Sequence, residues 1–326
     1  LWDSFFLVVP LVSTTFASFD RLMEGMGQEA IGWLIVDEAG QAPPQAAVGA
    51  LWRSRRALII GDPLQIEPVS KVPAGLVRAI CDSYGAHPDI WAAPRASAQT
   101  LADAASPLMT HMGSGTRARE IGIPLLVHRR CQDPMFSISN EIAYDGLMVH
   151  AAGDPASAIA EALSPWLPAG SSWLDVTSNA EKWSRKEGEA TVDLLRKLAT
   201  GGIRRPSLYV ISPFRDVADK LRSFVVRSGV PGDLGIPEKE QKAWAERHIG
   251  TVHTFQGKEA EAVLLVLGAS AAASRGSRNW AGGTPNILNV AATRAKKVIY
   301  VIGHHAAWAN AGVFAAAAEL PVVRWP

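Results

Sequence analysis

Short apolar runs, each closed by a polar or glycine-containing turn, recur at residues 5–9, 33–36, 57–60, 125–127, 208–211, 263–267 and 298–302. Unbroken Val/Ile/Leu runs of this length suit strands covered on both faces, as in a parallel sheet. Helical patterns lie between several of them. Residues 187–200 set Ala190, Leu194, Leu195 and Leu198 on one face, and 216–226 form a second such pattern. Strands alternating with helices predict an α/β chain, with parallel sheets flanked by helices. A weakly patterned stretch, 70–122, punctuated by Pro and Gly, separates two such blocks. A boundary is therefore expected at 122–124, giving domains 1–123 and 124–326. Residues 229–248, charged with Pro and Gly, and 271–285, rich in Gly and Ser, read as surface loops.

The chain length of 326 residues agrees with about two domains. With 48% hydrophobic and 19% charged residues, the composition is that of a soluble globular protein and excludes a disordered tail or coiled coil. Lys+Arg 32 against Asp+Glu 31 leaves a net charge of +1, so nucleic-acid binding would need local grooves, since no global basic field exists. Cys81 and Cys131 lie far apart with no CxxC spacing, which argues against zinc or disulfides and for a reducing compartment, the cytoplasm. The apolar start lacks a basic flank and is interrupted by Asp3 and Pro10, so neither a signal peptide nor a membrane span is expected. Residues 5–9 read instead as a buried strand. Of the eleven Trp, Trp2, Trp33, Trp52 and Trp173 are expected in the core. Trp183, Trp244 and Trp280 stand in polar contexts, as surface packing or as stacking platforms for single-stranded bases.

The sharpest local signal is Asp37-Glu38-Ala39-Gly40-Gln41 after the run Leu34-Ile35-Val36. A strand ending in two carboxylates sets them at the carboxyl edge of a parallel sheet, where α/β ligands bind. Asp37 is placed to hold Mg²⁺ and Glu38 to deprotonate a water attacking a γ-phosphate. The competing reading is an acidic cap on the helix opened by Pro43-Pro44. Next, Ala57-Leu58-Ile59-Ile60 runs into Gly61-Asp62-Pro63-Leu64-Gln65. Gln65 both donates and accepts, which suits reading a γ-phosphate and its water, although Gly-Asp-Pro alone is an ordinary turn.

Together these segments resemble motifs II and III of the Upf-like, superfamily 1B helicases, and four further blocks extend the resemblance through most of the chain. His128-Arg129-Arg130-Cys131-Gln132-Asp133-Pro134, followed by Asn140 and Tyr144-Asp145-Gly146, resembles the arginine-bearing motif IV. There Arg130 would be aimed at the γ-phosphate. One extra residue before Pro134 leaves Arg129 as a substitute. Ser212-Pro213-Phe214 resembles a Thr-Pro-Tyr segment near the bound strand, where Phe214 either stacks on a base or packs beneath its loop. Gly250-Thr251-Val252-His253-Thr254-Phe255-Gln256-Gly257-Lys258-Glu259 resembles motif V. The resemblance gives Gly257 close backbone approach, Glu259 a ribose hydrogen bond, and Thr251 and His253 the strand side. Gln41 joins these nucleotide contacts.

Asn289-Val290-Ala291-Ala292-Thr293-Arg294-Ala295-Lys296-Lys297 resembles motif VI, with Arg294 as the arginine finger. A permanently charged planar guanidinium suits that task better than Lys. The hydroxyl-rich segment after residue 11 resembles a motif upstream of motif II, with Thr14 and Ser18 as sugar-phosphate contacts and a plain turn as competitor.

The resemblance implies a RecA-like P-loop NTPase fold, with one complete second RecA-like domain and the rear of a first. It implies ATP hydrolysis with Mg²⁺ between two such domains, on single-stranded DNA or RNA, with DNA and 5′ to 3′ movement as the expectation. No segment reads G-x-x-x-x-G-K-S/T. The expectation is therefore a fragment whose missing N-terminal partner segment carries the P-loop, inactive alone. The alternatives are a non-enzymatic RecA-like binding module and the helicase part of a nuclease-helicase fusion.

Overall fold

Along Ala260–Val266, Ala262, Leu264 and Val266 face one side and Val263 and Leu265 the other, and all five are buried. Burial of both faces at period two marks the interior of a parallel sheet. The computed structural model describes residues 2–62, 64–70, 72–112, 119–168, 170–255 and 257–325. These form two compact units. The first holds the described residues of 1–63, 67–110 and 120–123; the second holds those of 64–66, 111–119 and 124–326.

The first segments are α1 (Trp2–Val8), α2 (Phe16–Leu22), β1 (Leu34–Val36), α3 (Pro44–Trp52), β2 (Ala57–Ile59), α4 (Ala74–Ser83), α5 (Pro88–Trp91) and α6 (Ala98–Ala105). Short strands β3 (Thr110–Met112) and β4 (Arg119–Ile121) follow. β1 and β2 pair in parallel, with Ile35 opposite Leu58 and Val36 opposite Ile59. Val36 packs with Ala39, Ala47 and Ala98, while Phe19, Met23, Met26 and Ala50 form a separate cluster. The opposite face of the pair is open: Ile35 is 59% and Leu58 49% exposed.

The second unit continues with β5 (Val127–His128), α7 (Met135–Ala143), β6 (Val149–His150), α8 (Ala158–Leu163), β7 (Ser172–Asp175), α9 (Arg185–Thr200), β8 (Leu208–Ser212) and α10 (Arg215–Arg227). Then come α11 (Val230–Asp233), α12 (Glu238–His248), β9 (Ile249–Thr251), β10 (Ala260–Val266), α13 (Arg275–Gly282), α14 (Asn286–Arg294), β11 (Ala295–Gly303), α15 (His305–Trp308), α16 (Phe314–Ala317) and β12 (Val322–Arg324). Six strands lie in the order β12-β7-β11-β10-β8-β9, each pairing parallel. Helices α8 to α12 cover the Leu264 face, and α7, α14, α15 and α16 cover the Leu265 face. The expected α/β architecture is thus present, and its parallel strands all end at one edge. Among the described residues, no helix is long and apolar enough to cross a membrane.

Several local expectations are corrected. The 5–9 run is no strand. Trp2, Phe5 and Phe6, at helical spacing, pack ring on ring at 5.5–5.8 Å within α1, and Pro10 follows its end. The supposed loop 229–248 forms α11 and α12, because Trp244 and Ala245 turn inward while the charges stay outside. Residues 271–285 contain α13, anchored by the buried Arg278, and 70–122 contain α4, α5 and α6. Trp173 is buried as expected, but Trp33 and Trp52 are exposed, each under an arginine, Arg56 and Arg53, at 5.5 Å. Strands β7, β9 and β12 gave no long apolar run and were not expected.

Candidate active site

In the first unit the chain turns sharply where β1 ends. Asp37 is exposed, and its Oδ1 accepts the Glu38 N–H at 2.8 Å. Glu38 adopts a left-handed backbone, φ 53°, which a non-glycine residue rarely holds without compensation. A 3-10 helix, Ala39–Gln41, follows, and Gln41 Nε2 donates to Glu38 Oε2 at 3.0 Å. The turn thus fixes Glu38 by backbone and side chain together. Neither carboxylate caps α3, whose N-cap is Pro43, so the capping alternative is not realised. Gly61 is required here, because a Cβ on it would lie 2.6 Å from the Gly40 nitrogen. Thr14 is exposed just before α2, and Ser18 lies within it, its Oγ accepting from Thr15 Oγ1 at 3.5 Å.

The second unit gathers its candidates around α14. Arg294, the last residue of that helix, is fully buried. Its Nη2 donates to Gln65 Oε1 at 3.4 Å and to Thr293 Oγ1 at 3.3 Å, and its Nη1 to the Phe255 carbonyl at 3.5 Å. Although it ends a helix, Arg294 is no solvated surface charge. Asn289, five residues earlier, is a hub whose role has no signal in the sequence alone. Its Nδ2 donates to the Leu64 carbonyl and to Tyr144 Oη, both at 3.0 Å, and its Oδ1 accepts from Ser139 Oγ at 2.6 Å. One amide thus ties the segment before Gln65, the end of α7 and α14 together.

Glu259 sits between two cations. Lys296 Nζ donates to its Oε1 at 2.8 Å, and Arg130 Nε lies 3.3 Å from its Oε2. The Lys296 hydrogen bond, with the charges of Lys296, Arg130 and Arg294, holds this carboxyl below the usual range against the opposing cost of burial. Lys296 thus joins the site, and its signal in the sequence is the basic pair after Arg294. Gly257 has φ +72°, a conformation glycine adopts without penalty. Pro63 and Gln256, inside the quoted motifs, lie outside the described residues. Behind Arg130, the Cys131 N–H donates to His128 Nε2 at 3.0 Å, so that nitrogen is unprotonated, and burial lowers the His128 pKa in accord, helped by Arg130. Burial also pushes the Cys131 thiol up to about 12, which leaves it a structural donor to the Thr293 carbonyl and no nucleophile.

The remaining candidates lie at the carboxyl edge of the six-stranded sheet. Thr251 ends β9 opposite Ser212 of β8, and His253 is exposed in the 3-10 helix that follows. Phe214, the N-cap of α10, is half-buried and packs into both cores. Its ring thus packs beneath the loop and stays partly exposed.

The AAA domain family matches residues 116–306. No curated protein matches the chain in sequence. Among solved structures, the Arterivirus nonstructural protein 10 (helicase) in complex with DNA is 14% identical, with a TM-score of 0.35 over 83% of this chain and 39% of its own. The PRRSV helicase is 12% identical, with a TM-score of 0.38 over 84% of this chain and 36% of its own. The chain thus spans well under half the length of either structure. Matched over more than half of its residues, the chain belongs to the AAA domain family, of the superfamily 1 helicase type.

Proposed function

We propose that the chain is part of an ATP-dependent superfamily 1B helicase or translocase that moves 5′ to 3′ on single-stranded nucleic acid, with DNA as the strand. Residues 1–123 are read as the rear of a first RecA-like domain and 124–326 as a complete second one. The confinement of the six-stranded sheet to the later residues, and the open face of β1–β2, support this division. The contact between Arg294 and Gln65 carries the reading. A permanent cation set beside an amide that both donates and accepts suits charge on a transferred phosphoryl group.

Mg²⁺ is held by one or two carboxylates together with phosphate oxygens and water. The single exposed carboxylate of Asp37 fits that need, and among the described residues no group of three His, Cys, Asp or Glu forms a metal cage. When bound, ATP supplies the γ-phosphoryl group and Mg²⁺ neutralises its charge. Glu38 takes the proton of the attacking water, Gln65 orients that water, and Arg130 and Arg294 neutralise developing charge. Gln41, Gly257 and Glu259 contact the nucleotide; Thr14, Ser18, Thr251 and His253 track the strand. The buried free thiols of Cys81 and Cys131 suit a reducing compartment, the cytoplasm.

The test is ATP hydrolysis, with and without a single strand, by this chain and by a longer parent carrying upstream sequence. This chain is expected to show none, for want of a P-loop. The longer protein is expected to hydrolyse ATP, and Arg294→Ala to slow it about a thousand-fold or more. Strand-stimulated hydrolysis by the 326-residue chain alone would overturn the fragment reading. A longer protein without a P-loop would favour the binding module.

A further inference from the structure

Trp280, on α13, exposes 61% of its surface. Its ring lies 5.9 Å from that of Phe214 at an interplanar angle of 33°, and Phe214 lies 6.3 Å from Trp308. Trp308 is fully buried, its Nε1–H donates to the Gly268 carbonyl at 2.8 Å, and it meets Phe314 edge-on at 4.7 Å. Three rings therefore step from the core to the surface, so the outermost rests on a fixed base. The helix beneath is equally fixed, because Arg278, buried on its inner face, donates to the carbonyls of Ala269 and Ala271. One turn before Trp280 stands Gly276, which carries no side chain that could cover the indole.

The surroundings select the partner. The other exposed positions of α13 are Arg275, Gly276 and Asn279, so the helix offers no aliphatic rim that would suit an apolar protein surface. Arg215, directly after Phe214, exposes 90% of its side chain and pairs with Asp219 at 3.8 Å. An exposed aromatic ring on a helix that also carries Arg275 matches a base with its phosphate. Phe214 also stands two residues beyond Ser212, the register partner of Thr251.

We propose that Trp280, supported from below by Phe214, is a stacking platform for one base of a single-stranded nucleic acid at the sheet's carboxyl edge. This rests on the nucleic-acid reading above and adds to it a contact that no motif carries. A preorganised ring loses little freedom on binding, and base stacking is tolerant of sequence.

The test is fluorescence anisotropy of the whole chain with a labelled oligothymidylate about 15 nucleotides long. Trp280→Ala is expected to weaken binding about five-fold or more, and Trp280→Phe to retain most of it. The dependence of log Kd on log salt should keep its slope, because no phosphate contact is removed. On an oligomer of the same length built from abasic sites, wild type and Trp280→Ala should bind alike. Equal binding of oligothymidylate by both proteins, or the same loss on the abasic strand, overturns the proposal. A wild type that binds neither strand instead fails the nucleic-acid reading itself, and the proposal falls with it.

Discussion

At Glu187 the fold encloses a carboxyl group completely. Its Oε2 accepts the Gly268 N–H at 2.7 Å, while its Oε1 has no hydrogen-bond partner among the described residues. Burial pushes its pKa up to about 8, against the smaller opposing pull of the Gly268 hydrogen bond. The folded protein thus keeps a proton that the unfolded chain, with an ordinary value of 4.5, gives up. The linked stability is complete below the unfolded value and is lost as pH rises through the folded one, by up to about 1.4 kcal/mol per pH unit between them. Glu187→Gln is expected to abolish that slope. In thermal melts the variant should gain on the wild type steadily between about pH 5 and pH 8.5. A constant difference across that range would mean that Glu187 is already charged in the fold. Ser184-x-x-Glu187 has the pattern of a capping box, and half of it forms: Ser184 Oγ accepts the Glu187 N–H at 3.3 Å. The carboxyl turns instead to a loop 81 residues away, which no local pattern announces.

Among the elements, those with a long uninterrupted period were legible. β8, β10 and β11 came from apolar runs, and α9 and α10 from their stripes. α13 was hidden, because Gly276, Asn279 and Gly282 lower its helix propensity and tertiary contacts supply what is lacking. Gly282 is needed where α13 meets the turn before α16. A Cβ there would sit 2.0 Å from the Ala311 carbonyl oxygen, and Gly312 beside it has φ +56°. Gly282→Ala must therefore move backbone against backbone, and a fall in Tm of several degrees, for about 2 kcal/mol or more, is expected. Gly276→Ala on the same helix meets open space and should stabilise by about 0.5–1 kcal/mol. Similar Tm values for the two variants would contradict the close seating of α13.

Over the whole molecule the two units differ in how much apolar surface they enclose. The second buries both faces of a six-stranded sheet; the first holds two small clusters and leaves Ile35 and Leu58 in water. Each fully buried Val, Leu or Ile side chain contributes about 1.5–3 kcal/mol, so the second unit should resist opening far longer. Native-state hydrogen exchange is expected to protect the amides of β8, β10 and β11 most strongly, and to release those of β1 and β2 first. Matching protection in β1 and β10 would show one cooperative unit instead.

The sequence by itself determined the α/β class, the main strands and helices, and the motif blocks holding Asp37, Glu38, Gln65, Arg130, Glu259 and Arg294. Periodicity and turn chemistry act over a few residues, so a linear reading reaches them. Tertiary structure alone decided that residues 2–8 are helical, that Arg294 is buried against Gln65, and that Asn289 joins three segments. It also decided that Glu259 is shared by Arg130 and Lys296 and that Trp280 stands over Phe214. Each of these depends on groups brought together from distant parts of the chain. A short apolar run fits strand or helix alike until a partner strand is present or absent, and a buried charge is tolerable only where remote groups meet it.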